Sequence, residues 1–126
     1  MIRQIDNIQG TFLKSGRQFV LGDPYDYLVS PCLHLSVPKG FVTDFASIPT
    51  FFTRLFPVLD SHLPAAVLHD WLYSTGLYPR AEADRIFLQH MDRLGVPFWK
   101  RRAIYHAVRM GGWAAWNEHR RRDKKK

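Results

Sequence analysis

Two kinds of hydrophobic periodicity divide the chain. In the first half, apolar positions come in short extended runs. Phe12-Leu13-Lys14 and Arg17-Gln18-Phe19-Val20-Leu21 flank Ser15-Gly16, which predicts a hairpin on a two-residue turn. Gly22-Asp23-Pro24 ends the second run, and Pro38-Lys39-Gly40 sits between Cys32 to Val37 and Gly40 to Thr43 as a second predicted hairpin turn. These runs read as one small antiparallel sheet.

The second half is helical, with each helix opening near a proline and closing at a glycine. Pro64 to Gly76, Pro79 to Gly95, and Pro97 to about His119 are the three predicted helices. In the second, Ala83, Ile86, Phe87, His90 and Met91 make one apolar stripe opposite charged residues. In the third, Trp99, Ala103, Ala107, Met110 and Ala114 are expected to mark the buried side. Strands followed by helices predict an α+β domain, a small antiparallel sheet packed against three C-terminal helices.

The chain has 126 residues, the size of one ordinary domain, and is 46% hydrophobic and 14% aromatic, too apolar for a disordered protein. Cys32 is its single cysteine, which excludes an intramolecular disulfide framework and a cysteine-based zinc cluster. No run approaches a membrane span, and the first residues lack the pattern of a secretory signal. A soluble protein made in the cytoplasm is the expectation.

Charge sharpens the outline. Of the formal net charge of +7, the last seven residues contribute +5: Arg120, Arg121, Arg122, Lys124, Lys125 and Lys126 against Asp123. The expected organisation is a near-neutral domain over residues 1–119 with a basic tail over 120–126. The tail is either a solvated end or a contact for an anionic surface, a nucleic acid or an acidic partner.

Candidate chemistry centres on Ala65 to Tyr73, "AAVLHDWLY", where His69 and Asp70 interrupt an apolar helix. Buried titratable groups need partners, because leaving them unpaired costs several kcal/mol. His69 and Tyr73 share a helix face, with Asp70 rotated by about 100°. The short connection Thr75 to Tyr78 predicts an antiparallel helix hairpin that sets Asp84 across from His69 or Asp70. A second carboxylate, Asp44, and a hydroxyl, Ser47, lie in the turn "TDFASIP".

Three chemistries fit these residues. His69 held by a carboxylate is a general base towards water. A histidine with Asp70 and Asp44 suits a divalent metal, calcium or zinc, that activates water. Ser47, His69 and an aspartate have the composition of a triad, although the glycine-flanked elbow that exposes such a serine is missing. Set against all three is a purely structural role, in which the pair anchors the Thr43 to Pro49 loop.

The blocks "GFVTDFASIP", "AAVLHDWLY", "RAEADRIFLQHM" and "GGWAAW", over roughly residues 38–116, resemble the domain of unknown function 1353 family of tailed bacteriophages and prophages. The resemblance implies a phage origin, with synthesis in the host cytoplasm, and assigns no activity. Locally, His69-Asp70-Trp71-Leu72-Tyr73 is similar to the His-Asp-x-x-Tyr helix of secreted phospholipases A2. That likeness implies His69 as base, Asp70 as calcium ligand and Asp84 as the group orienting His69. The chain departs from it in lacking the glycine-rich calcium loop, and Ala65, Ala66 and Leu72 stand near the motif where cysteines stand there.

Three functions follow as expectations. The first is a phage hydrolase acting on a host envelope component, peptidoglycan or lipid. The second is a non-enzymatic virion, tail or assembly protein whose partners are other phage proteins. The third is a nucleic-acid-binding accessory protein that uses the basic tail.

Overall fold

The computed structural model describes residues 8–13, 18–45, 48 and 62–124. Over these residues the chain runs β1 (Gly10–Leu13), β2 (Gln18–Leu21), β3 (Tyr25–Ser30), β4 (Leu33–Val37), β5 (Val42–Thr43), α1 (Leu63–Thr75), α2 (Arg80–Arg93), α3 (Phe98–Gly111) and α4 (Trp113–Lys124). It is the α+β architecture that the change of periodicity predicts.

The strand pairing is richer than one sheet. β1, β2 and β5 form an antiparallel sheet in that order, and β3 pairs with β4 in a separate antiparallel ribbon. β1 pairs with β2 with Leu13 opposite Gln18, so four residues separate them rather than Ser15-Gly16 alone. Pro38-Lys39-Gly40 does not close a hairpin between β4 and β5. Beyond it Gly40 N–H donates to the Leu21 carbonyl (2.7 Å) and Leu21 N–H to the Phe41 carbonyl (2.9 Å), which adds β5 to β2 instead. The partner of β4 is "YDYLVS", in which Tyr25 and Tyr27 face inward and Asp26 outward.

β3 is fastened to α2 by side chains as well as packing. Tyr27 donates to Gln89 Oε1 (2.9 Å), Gln89 Nε2 returns a bond to the Val29 carbonyl (3.2 Å), and Arg93 donates to the carbonyls of Leu28 and Val29. His90 is fully buried between the two tyrosines, its Nε2 2.8 Å from the Tyr25 hydroxyl and its ring centroid 4.0 Å from that of Tyr27.

α1 is the central helix, in contact with α2, α4 and β5. That position explains why "AAVLHDWLY" is apolar nearly all round: a helix covered on several sides needs no polar face. Pro64 fits its first turn, where a missing N–H is no loss, and Gly76 ends it in the left-handed conformation at φ 64°, its N–H bonded to the Leu72 carbonyl.

The predicted third helix is two. α3 stops at Gly111, and after the single residue Gly112, whose backbone angles are still helical, α4 begins at Trp113 and packs on α1. The buried side of α3 also differs from expectation: Ile104, Ala107 and Val108 are buried, whereas Trp99, Met110 and Ala114 are exposed. The helix carries two apolar stripes, and the one with the β-branched residues faces the core.

α4 begins within the predicted domain and runs into the predicted tail. Arg120 Nη2 donates to the carbonyls of Tyr73 (2.8 Å) and Ser74 (2.9 Å), its guanidinium stacks on Trp116, and a Cβ on Gly76 would lie 2.4 Å from its Nη1. A cation at the last carbonyls of a helix also suits its macrodipole. Arg121 and Arg122 both pair with Glu118 on the surface of α4. Lys124 ends the helix, and Lys125 and Lys126 lie outside the described residues.

Candidate functional site

The helical 100° step separates His69 from Asp70 so completely that the two neighbours belong to different clusters. His69 turns to α2. Its Nε2 is 2.6 Å from Asp84 Oδ1, and the Tyr73 hydroxyl, one turn on, donates to the same oxygen at 2.7 Å. The other oxygen, Oδ2, accepts from Arg109 Nη1 of α3 at 2.7 Å and lies 3.6 Å from Arg80 Nη1. His69, Tyr73 and Asp84 are all fully buried, with the His69 ring stacked on Phe87.

Asp84 is therefore a buried carboxylate encircled by donors. Burial acts to raise its pKa, but the hydrogen bonds from His69, Tyr73 and Arg109 outweigh burial and hold it below the ordinary carboxylate range. Tyr73 moves the opposite way: burial first, and then Asp84 beside it, push its phenol up, so it stays a donor. Because an ionised carboxylate only accepts, the proton in the His69–Asp84 contact sits on Nε2, an assignment made from the network.

Arg80 completes the frame without leaning on Asp84 alone, donating to the carbonyls of Val108 (3.1 Å) and Arg109 (3.2 Å) near the end of α3. Neither arginine stood out in the sequence. Arg80 had a signal, four residues before Asp84 on one helix face; Arg109 had none, since it arrives from another helix.

Gly112 is where α3 meets this cluster. A Cβ there would sit 2.7 Å from the Tyr73 hydroxyl and 2.6 Å from the Val108 carbonyl, and the second neighbour is backbone that cannot swing aside. Gly112→Ala is expected to lower stability by about 1–3 kcal/mol, read from urea unfolding, although the residue's φ of −76° suits alanine.

Asp70 faces β5. Thr43 Oγ1 donates to its Oδ2 at 2.5 Å, and the same hydroxyl accepts the N–H of Phe45 at 3.0 Å, which secures Phe45 at a positive φ of 61°. Oδ1 of Asp70 is buried with no hydrogen-bond partner among the described residues. Burial raises the Asp70 pKa; the Thr43 bond opposes this, and the charge of Asp44 adds to it. Asp44 itself is exposed, and its hydroxyl-bearing neighbour Thr43, at the start of the Thr43 to Pro49 loop that the pair is expected to anchor, makes the direct contact. Ser47 lies outside the described residues.

Among the described residues, no three His, Cys, Asp or Glu side chains gather in a metal-binding group. None of the helices they form is long and apolar enough to cross a membrane.

Comparison with known proteins adds one relative and one family. Uncharacterized protein y4jT of Sinorhizobium fredii is 38% identical over 74 residues, covering 57% of this chain and 22% of that protein, so the chain spans about a fifth of its relative's length. No solved structure matches. The profile described as Protein of unknown function (DUF1353) matches residues 19–108, a span holding Thr43, His69, Asp70, Tyr73, Arg80 and Asp84, and the chain belongs to that family.

Proposed function

We propose that the chain is a hydrolase in which His69, oriented by Asp84, activates water. The observation that carries this reading is the 2.6 Å bond from His69 Nε2 to a charged, fully buried Asp84. It orients the ring and would stabilise the imidazolium that forms when His69 takes a proton. In that step the water oxygen bonds to the substrate's carbonyl carbon while its proton passes to the His69 ring. The proton then returns to the departing alcohol or amine as the scissile bond breaks. The substrate class is an ester or amide of a host cell envelope, in keeping with the phage setting that the sequence blocks imply.

A divalent cation fits the other cluster. The buried Oδ1 of Asp70, without a partner among the described residues, is an oxygen that a cation would satisfy, and Asp44 is near enough for its charge to act on Asp70. An oxygen-only pair suits calcium better than zinc, because the His69 nitrogen turned to Asp84 is already engaged. Asp70 and Asp44 would hold the ion, which when bound would polarise the substrate's carbonyl.

His69→Gln tests the reading, since its amide nitrogen still reaches towards Asp84. Turnover of phospholipid vesicles or peptidoglycan should fall by about 10²–10⁴-fold with the thermal transition retained. Full turnover by the folded variant, or none by the wild type on either substrate, overturns it.

A second reading rests on a specific observation: His69 and Asp84 have no exposed side-chain surface. A virion or assembly protein would use the same cluster only to lock its helices together. It would be present stoichiometrically in purified particles, and His69→Gln would leave its incorporation unchanged.

A further inference from the structure

The outer face of α3 is not used by the buried clusters. Opposite Ile104, Ala107 and Val108, it presents Phe98 at 61%, Trp99 at 65% and Met110 at 80% exposure, and Trp113 continues it into α4 at 57%. Arg102 and His106 are exposed between them, and the guanidiniums of Arg101 and Arg102 lie over the Phe98 ring at 5.1 and 5.4 Å. From Phe98 to Asn117 the chain has Lys100, Arg101, Arg102 and Arg109 and no acidic residue; Arg109 is turned to Asp84 and Arg101 lies 3.4 Å from Asp92 of α2, so Arg102 is the exposed cation of this face.

We propose that this face docks on an anionic lipid bilayer. Large apolar side chains clustered on a surface mark a binding site, and here they are strung along about 18 Å of one helix. Tryptophan is the residue of the bilayer interface, and arginine can lay its stem along apolar surface while its head meets lipid phosphate. The lack of acidic groups within this segment lowers the repulsion that such a surface would exert, and Asp92 of α2 beside it is paired with Arg101. Met110, the most exposed of the set, suits the acyl boundary and has no role on a phosphate backbone. The inference does not rest on His69: docking and hydrolysis are separable.

The test is sedimentation of the full chain with phosphatidylcholine vesicles, with and without phosphatidylglycerol. The chain should sediment with the anionic vesicles, less at high salt, and its tryptophan emission should shift to the blue. Trp99→Ser with Met110→Gln should weaken binding by about tenfold or more. Arg102→Glu should weaken it on anionic vesicles alone. Each variant should keep the wild-type thermal transition, and His69→Gln should bind as the wild type does. Three results overturn the proposal: no sedimentation of the wild type; a dimer in sedimentation equilibrium that the double variant dissolves, which makes the occupant a second copy; or duplex DNA binding lost in the same double variant without vesicle binding.

Discussion

Asp84→Ala is expected to lower the free energy of unfolding by about 3–5 kcal/mol, the scale for removing one member of a buried charged network. Two groups would suffer most. The Tyr73 hydroxyl and His69 Nε2 both bond to Oδ1 and are fully buried, so each would lose its acceptor with no route to water. Arg109 is partly exposed and can turn to solvent, and Arg80 keeps its two carbonyls. Asp84→Asn should cost less, because its amide oxygen still accepts from His69 and Tyr73, while its NH₂ would face the Arg109 guanidinium. Urea unfolding of the two variants measures both losses. Equal losses would locate the stabilisation in the shape of the side chain rather than in its charge.

Acid should unfold the protein through His90. Burial first, with the nearby positive charge of Arg93 adding to it, pushes the pKa of His90 down to about 3 from an ordinary 6.5. Between those values the unfolded chain takes up a proton that the native state refuses, so stability falls as the pH falls. The slope is about 1.4 kcal/mol per pH unit, and the loss reaches about 4–5 kcal/mol near pH 3. Asp84 acts in the same direction, since its lowered pKa makes its contribution full above the carboxylate range and lost below it. Asp70, with a raised pKa, has the opposite sign and is relieved by protonation. His90→Gln keeps a partner for Tyr25 and should flatten the stability curve between pH 6.5 and 3 in urea titrations; an equally steep curve in the variant would acquit His90.

Much of the candidate site could be read from spacing. Counting outward from a short connection sets Asp84 across from His69 or Asp70, because two antiparallel helices joined by few residues have little freedom of register, and in the structure the partner is His69. Apolar character also misled. Two stripes of similar hydrophobicity run along α3, and no local rule says which one α2 will cover. The stripe of Trp99 and Met110 therefore reads as the inner one, whereas the structure turns it to solvent and brings Arg109 to Asp84. Gly111-Gly112 carried the division between α3 and α4, but a glycine pair is a weak break until a close neighbour such as the Tyr73 hydroxyl makes it necessary. In the sheets, "YDYLVS" alternates with a period of two and pairs with β4 across the two-residue connection Pro31-Cys32, a local hairpin, whereas the non-local pairing of β5 with β2 has no local signal. Asp44 was named in place of Thr43 because a carboxylate reads as chemistry, whereas the contact needed a donor for Asp70.

The division of His69 and Asp70 between two clusters has a mechanical side. Their bonds leave α1 in different directions, one to α2 and one to β5, and neither is long enough to stretch. Any roll of α1 about its own axis that eased one contact would strain the other, and Arg120 at the final carbonyls resists sliding along the axis. α1 thus behaves as a keyed shaft, and motion that admits a molecule to His69 has to come from the elements around it.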